Sequence, residues 1–162
     1  MKIFMFVTMF FLHIVDDYYL QGWLAQAKQE KYWLKYCGFN DDNIKFYMEN
    51  KKDKKPFNWM LCPNISQKDF DLYKNDYKMA LAEHTFSWSF MVHLPVMAYL
   101  LWIGNVTGIY ALVFCISFIT NWIIHAMVDN LKANKLKINL IQDQMIHFVQ
   151  IFITWIVWAA II

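Results

Sequence analysis

Three short patterns set ionisable side chains among apolar neighbours: "HIVDD" at 13–17, "HAMVD" at 125–129 and "DQMIH" at 143–147. Each holds a histidine and an aspartate four residues apart: His13 with Asp17, His125 with Asp129, and Asp143 with His147. On an α-helix, positions four apart differ by about 40° in direction and positions seven apart by about 20°, so each pair shares a face. The same rule adds Leu20 and Gln21 to the first face and Lys132 to the second. Neutral imidazole and carboxylate oxygen form the ligand set expected for zinc, manganese or iron. Aspartates gathered in lipid without a cation would repel one another. Even on a lenient insertion scale an uncompensated carboxylate in a span costs about 2.5–3.5 kcal/mol, and such residues face a bundle interior, paired or lining a pathway.

The elements that must position these groups follow from composition. The chain has 162 residues, 59% hydrophobic and 19% aromatic, with four glycines and three prolines. That points to an all-α integral membrane protein forming one domain over 1–162. Residues 84–128 contain no Asp, Glu, Lys or Arg. This is room for two crossings of about 20 residues each, at 84–103 and 107–129, with Gly104, Asn105 and Gly108 marking the turn between them. A further span fits at 140–162. The N-terminal apolar run is long enough only if its helix continues through His13, Asp16 and Asp17, which gives a span over 3–27. A cleaved signal peptide is the rival reading of Lys2 and the apolar run behind it, but no A-x-A-like cleavage site follows. Four transmembrane helices are therefore expected, with a partly helical insert at 28–82 between the first and second.

The insert holds eleven of the fifteen lysines, and the link at 132–137 holds three more. Lysine excess beside spans marks the cytoplasmic side, so both loops are expected inside and both chain ends outside. The setting implied is the inner membrane of a bacterium or a phage-infected cell. Ser66 with Asp69 has the spacing of a capping box and predicts a helix running directly into the second span. The tryptophans of the insert, Trp33 and Trp59, suit the headgroup zone. Eight acidic residues are interspersed among its lysines, which favours anionic lipid over nucleic acid as its neighbour. A cytoplasmic partner and a homo-oligomer are both compatible with this surface. Cys37, Cys62 and Cys115 show no C-x-x-C spacing, so neither a disulfide framework nor a thiolate zinc site is indicated. "NIS" and "NVT" match the glycosylation sequon.

In this topology Asp17 and Gln21, His84, Asp129 and Asp143 all fall at the inner ends of their helices. Each helix offers an imidazole at one depth. His93 does not join them, because it lies nine residues beyond His84, about 13 Å deeper and on the opposite face. The expected metal ligands are His13, Asp17, His84, His125, Asp129, Asp143 and His147, braced by Gln21 and Gln144. They exceed what one tetrahedral ion needs, which allows two metals. Asp16 or Asp143 would take a proton from water, and Lys132 would hold a substrate phosphate. The function expected is a metal-dependent hydrolase of a lipid or membrane-associated ester, phosphoester or amide. Two other readings use the same residues: interhelical hydrogen bonding alone, and a metal-free proton or ion pathway in a non-enzymatic effector or pore.

The segments "HIVDDYYLQGWLAQAK", "HTFSWSF", "HAMVDNLK" and "DQMIH" resemble the H-x-x-x-D-x-x-L-Q, H-x-x-x-D-x-x-K and D-Q-x-x-H signatures of the small bacterial and phage membrane proteins grouped as domain of unknown function 3307. The likeness covers the spans and not the insert. It implies shared architecture and shared polar positions, and supplies no reaction.

Overall fold

The computed structural model describes residues 1–54, 59, 65–104, 106 and 108–162. Every regular element among them is helical: α1 (Lys2–Val15), a π-helical turn (Asp16–Leu20), α2 (Leu24–Ala27), α3 (Glu30–Tyr36), α4 (Asp41–Lys52), α5 (Gln67–Tyr73), α6 (Asp76–Trp102), α7 (Ile109–Ala133) and α8 (Leu140–Ile161). Three stretches are long and apolar enough to cross a membrane: Lys2–Leu20, Ile109–Ala133 and Leu140–Ile161. The fourth long helix, α6, has 27 residues and a length of about 40 Å, but Thr85, Ser87, Ser89 and His93 make it more polar than the others.

These four helices close a ring: α1 packs on α6 and α8, and α7 packs on the same two. Towards one end the ring is filled by apolar side chains, with Met5, Met9, Val92, Val96, Leu100, Ile151 and Trp158 buried together. For helices in lipid, close packing rather than exclusion of water holds such a core. The other end carries the polar residues. There α8 begins with a reciprocal cap in which Asn139 Oδ1 accepts from Gln142 N at 2.9 Å and Gln142 Oε1 accepts from Asn139 N at 3.0 Å. This fixes the phase of α8, and Asp143 and His147 are buried.

The first helix departs from the continuous run expected over 3–27. It passes into the π-helical turn and breaks at Gln21 and Gly22, the latter at φ +32°. A π turn takes up more residues than an α turn, so the face shifts. Asp16 is fully buried in place of Leu20, which is 62% exposed and does not share the His13 face. The helix expected to run unbroken from Ser66 into the second span is also interrupted. Ser66 does accept from Asp69 N at 3.2 Å, but α5 ends at Tyr73 and α6 starts afresh at Asp76.

The insert has a small core of its own, built from Leu34, Cys37, Phe39, Ile44, Ile65 and Phe70. Buried Glu30 ties it together by accepting from Lys51 Nζ at 2.5 and 2.6 Å. Burial, with that carboxylate beside it, pushes the Tyr47 phenol up to about 12. Cys37 is buried and Cys115 exposed. Cys62 and the sequon asparagines Asn64 and Asn105 lie outside the described residues.

Candidate metal centre

At the polar end the four long helices deliver their ionisable groups to one place. Two overlapping sets of possible ligand atoms form there, Asp17 with His84 and His125, and His125 with Asp129 and His147; within each set the atoms lie within 4.8 Å of one another. Five of the seven expected ligands are thus brought together. Asp143 adjoins them, with Oδ1 3.4 Å from His147 Nε2. His13 is the seventh, with Nδ1 3.8 Å from Asp17 Oδ2.

Fixed hydrogen-bond donors determine which ring nitrogens carry lone pairs. The Trp88 indole can only donate, and it points at His13 Nδ1 from 2.6 Å. His13 Nδ1 is therefore the acceptor, and Nε2–H donates to Gln144 Oε1 at 3.2 Å. The amide of Gln144 then donates to Asp17 Oδ2 at 3.3 Å and Asp143 Oδ2 at 3.2 Å. With both nitrogens engaged, His13 is linked through Gln144 to Asp17 and Asp143.

His147 is fixed from the opposite side. The backbone carbonyl of Asn121 can only accept, so the nitrogen of the Gln150 amide faces it at 3.3 Å. Gln150 Oε1 is left to accept from His147 Nδ1–H at 3.1 Å. The second nitrogen, Nε2, faces Asp129 Oδ1 at 3.3 Å and Asp143 Oδ1 at 3.4 Å. A nitrogen meeting two carboxylate oxygens holds either a proton or a metal ion between itself and them. Two ligands about 2.0–2.1 Å from a four-coordinate ion stand about 3.3–3.4 Å apart, which matches both separations. His125 completes this side with Nε2 3.9 Å from Asp129 Oδ1. Its Nδ1 lies 3.0 Å from His147 Nδ1 and accepts from it, so ligation through Nε2 requires loss of the ring proton there.

Orphaned atoms concentrate at the same place. Seven buried side-chain atoms among the described residues have no hydrogen-bond partner, and five of them are Asp17 Oδ1, His84 Nδ1, His125 Nε2, Asp143 Oδ1 and His147 Nε2. Buried polar groups are normally satisfied, so this clustering calls for a ligand or a proton.

The other expected residues fall as follows. Lys132 is near, with Nζ 2.6 Å from Asp143 Oδ2. Asp16 faces elsewhere: Ser87 Oγ of α6 donates to its Oδ1 at 2.7 Å and the Gln21 amide, five residues on, donates to its Oδ2, so both oxygens are engaged. Gln21 also donates to the His84 carbonyl at 3.2 Å. His93 stays apart, with Nδ1 2.8 Å from the Ser89 carbonyl and Nε2 3.0 Å from Ser117 Oγ.

Sequence reasoning assigned no role in the site to five further residues. Lys28 Nζ lies 2.5 Å from Asp129 Oδ2 and 2.6 Å from His84 Nε2. Trp88 stacks on His125 with centroids 4.2 Å apart and planes 9° from parallel. Asn121, Gln150 and Thr154 form a buried amide and hydroxyl ladder behind His147, with Asn121 Nδ2 donating to Thr154 Oγ1 at 2.7 Å. The i, i+4 rule would have found the ladder, since Asn121 precedes His125 by four and Thr154 follows His147 by seven.

Set against protein-family models, curated proteins and solved structures, the chain matches none.

Proposed function

We propose that the cluster binds a divalent cation, zinc or alternatively manganese or iron, and that the protein is a membrane-embedded hydrolase of a lipid or membrane-associated ester, phosphoester or amide. The observation that carries this reading is His147 Nε2, held against two carboxylate oxygens at tetrahedral-edge distances. His125, His147, Asp129 and, through Oδ1, Asp143 are the ligands, with Asp17 and His84 available to a second ion. The cation would supply a Lewis acid and a water of lowered pKa. Asp143 Oδ2, from which the cation frees Lys132, takes the proton; Asp16 does not, because its oxygens are already engaged. The likeness to domain of unknown function 3307 covers these same positions and adds no reaction.

In this reading α1, α6, α7 and α8 each span the inner membrane of a bacterium or phage-infected cell. The insert and the α7–α8 link lie inside and both ends outside, which the lysine distribution supports. Cysteines introduced at 104–108 should then react with an impermeant thiol reagent in intact cells, and cysteines at 132–139 should not. Reversed labelling would overturn the placement.

A second reading has its own support. Lys28 and Lys132 pair with Asp129 and Asp143 at 2.5 and 2.6 Å, so three carboxylates (Asp17, Asp129, Asp143) meet two ammonium groups, and one further proton would balance them. That favours a metal-free proton pathway. Chelation separates the two. A ligand that binds only the folded state stabilises it by about 4 kcal/mol at a thousandfold excess over its Kd. A chelator should therefore lower the thermal midpoint in detergent by several degrees, and zinc or manganese should restore it. Replacing Asp17 and Asp129 together by asparagine should abolish the response. An indifferent midpoint with no metal co-purifying would leave the proton pathway standing.

A further inference from the structure

The divalent-cation reading underlies this inference, which concerns what binds beside the ion. A cleft of about 310 Å³ opens against the cluster, with Asp17 and Asp129 in its wall. Lys28, Lys31 and Lys132 line it with ammonium groups. Tyr18, Leu136 and Leu140 give it a rim that is apolar and more than half exposed. The cleft is thus cationic within and greasy at the mouth.

Two of its lysines are bound to the carboxylates that a metal needs. Lys28 pairs with Asp129 and Lys132 with Asp143. An ammonium group and a divalent cation compete for the same oxygens, and the dication carries twice the charge. Once it takes Asp129 and Asp143, both lysines lose their counter-ions while still lining the cleft. Lys31, exposed and without an ion pair among the described residues, stands beside them. Three carboxylates with Lys28 and Lys132 carry one net negative charge; the dication turns this to one positive, and Lys31 adds another. Asp17 Oδ1, buried and without a partner, leaves room for a second ion or an acidic proton of the incoming group.

We propose that the cleft binds a phosphate group, that of a lipid headgroup or free, through lysines the cation has released, so that cation and phosphate bind cooperatively. Ammonium groups beneath an apolar rim suit an amphiphile whose phosphate enters while its acyl chains stay on the lipid-facing helices. Coupling of this kind is reciprocal: phosphate tightens the cation as much as the cation tightens phosphate.

The test is Mn²⁺ affinity of the full chain in dodecyl maltoside, read from the paramagnetic resonance signal of free Mn²⁺. Short-chain phosphatidic acid, inorganic phosphate and octanoate, a phosphate-free anionic amphiphile, are added in separate arms. Phosphatidic acid should tighten Mn²⁺ binding by about tenfold, within the usual range of coupling between sites, and octanoate should not. Lys28→Met and Lys132→Met should bind Mn²⁺ more tightly without phosphate, since the competing ammonium is gone, and should lose the gain. Lys31→Met, at an exposed position, tests the same loss if those two fail to fold. An inorganic phosphate effect equal to that of phosphatidic acid supports the phosphate site and assigns it to free phosphate. An equal effect of octanoate, or Mn²⁺ affinity indifferent to every addition, overturns the proposal and leaves the metal site intact. No binding of Mn²⁺ or Zn²⁺ under any condition overturns the metal reading itself.

Discussion

The bundle holds two kinds of buried histidine. His93 is fully buried, and so are His84, His125 and His147. What differs is the far side of each ring. Both nitrogens of His93 meet a neutral oxygen, the Ser89 carbonyl and the Ser117 hydroxyl, and no carboxylate contacts it among the described residues. At the polar end each of the other three rings keeps one nitrogen without a partner and has aspartate oxygens close by. A histidine with both nitrogens satisfied by neutral groups serves as a joint between helices. Orphan nitrogens beside carboxylates, as His125 Nε2 and His147 Nε2 are, mark a place where a proton is shared or a metal binds; at His84 the orphan is Nδ1, and Nε2 meets Asp129.

The sharpest way to break this contrast is to remove the carboxylate that the orphan rings share. Asp129→Asn should abolish metal uptake and, by leaving Lys28 without its partner, destabilise the detergent-solubilised protein by about 3–5 kcal/mol. Metal content and chemical denaturation both read this out, and unchanged metal content would show that Asp129 is not a ligand. A smaller effect should separate the two kinds of ring directly. His125→Ala should lose metal, whereas His93→Ala should keep it and lose only about 1–3 kcal/mol from the unsatisfied partner groups. Equal metal loss from both variants would erase the distinction.

Much of the cluster could be read in advance because it rests on helix geometry alone. His125 with Asp129, and Asp143 with His147, lie within α7 and α8, whose regular turns place each pair on one buried face. The first helix resisted because its π turn depends on tertiary bonds: Ser87 and Gln21 hold Asp16 inward, and nothing in "DDYYL" announces them. Lys28 lies beyond the break at Gly22, so no helical spacing connects it to Asp17. Trp88 reads as one more apolar side chain among eight tryptophans, and only the position of His13 shows its indole to be a directed donor. The stretches 107–129 and 140–162 lie on α7 and α8, and 84–103 lies on α6, whose helix starts ahead of it at Asp76.

Trp88 also divides the bundle electrically. It is fully buried, flat on His125, bonded to His13 and close to His147 on one side, and it packs with Val92, Met9 and Ile151 on the other. The cleft brings water to the cluster from the insert's end, while the core beyond the indole is dry and apolar. In an energised bilayer the voltage falls across the insulating part of the path. Moving a unit charge through the whole field changes its energy by about 2.3 kcal/mol per 100 mV, but a cation arriving through the cleft crosses little of it. In the proposed membrane-embedded metal reading, occupancy of the cluster would therefore be set by concentrations on the cleft's side of the membrane and be nearly blind to the membrane potential.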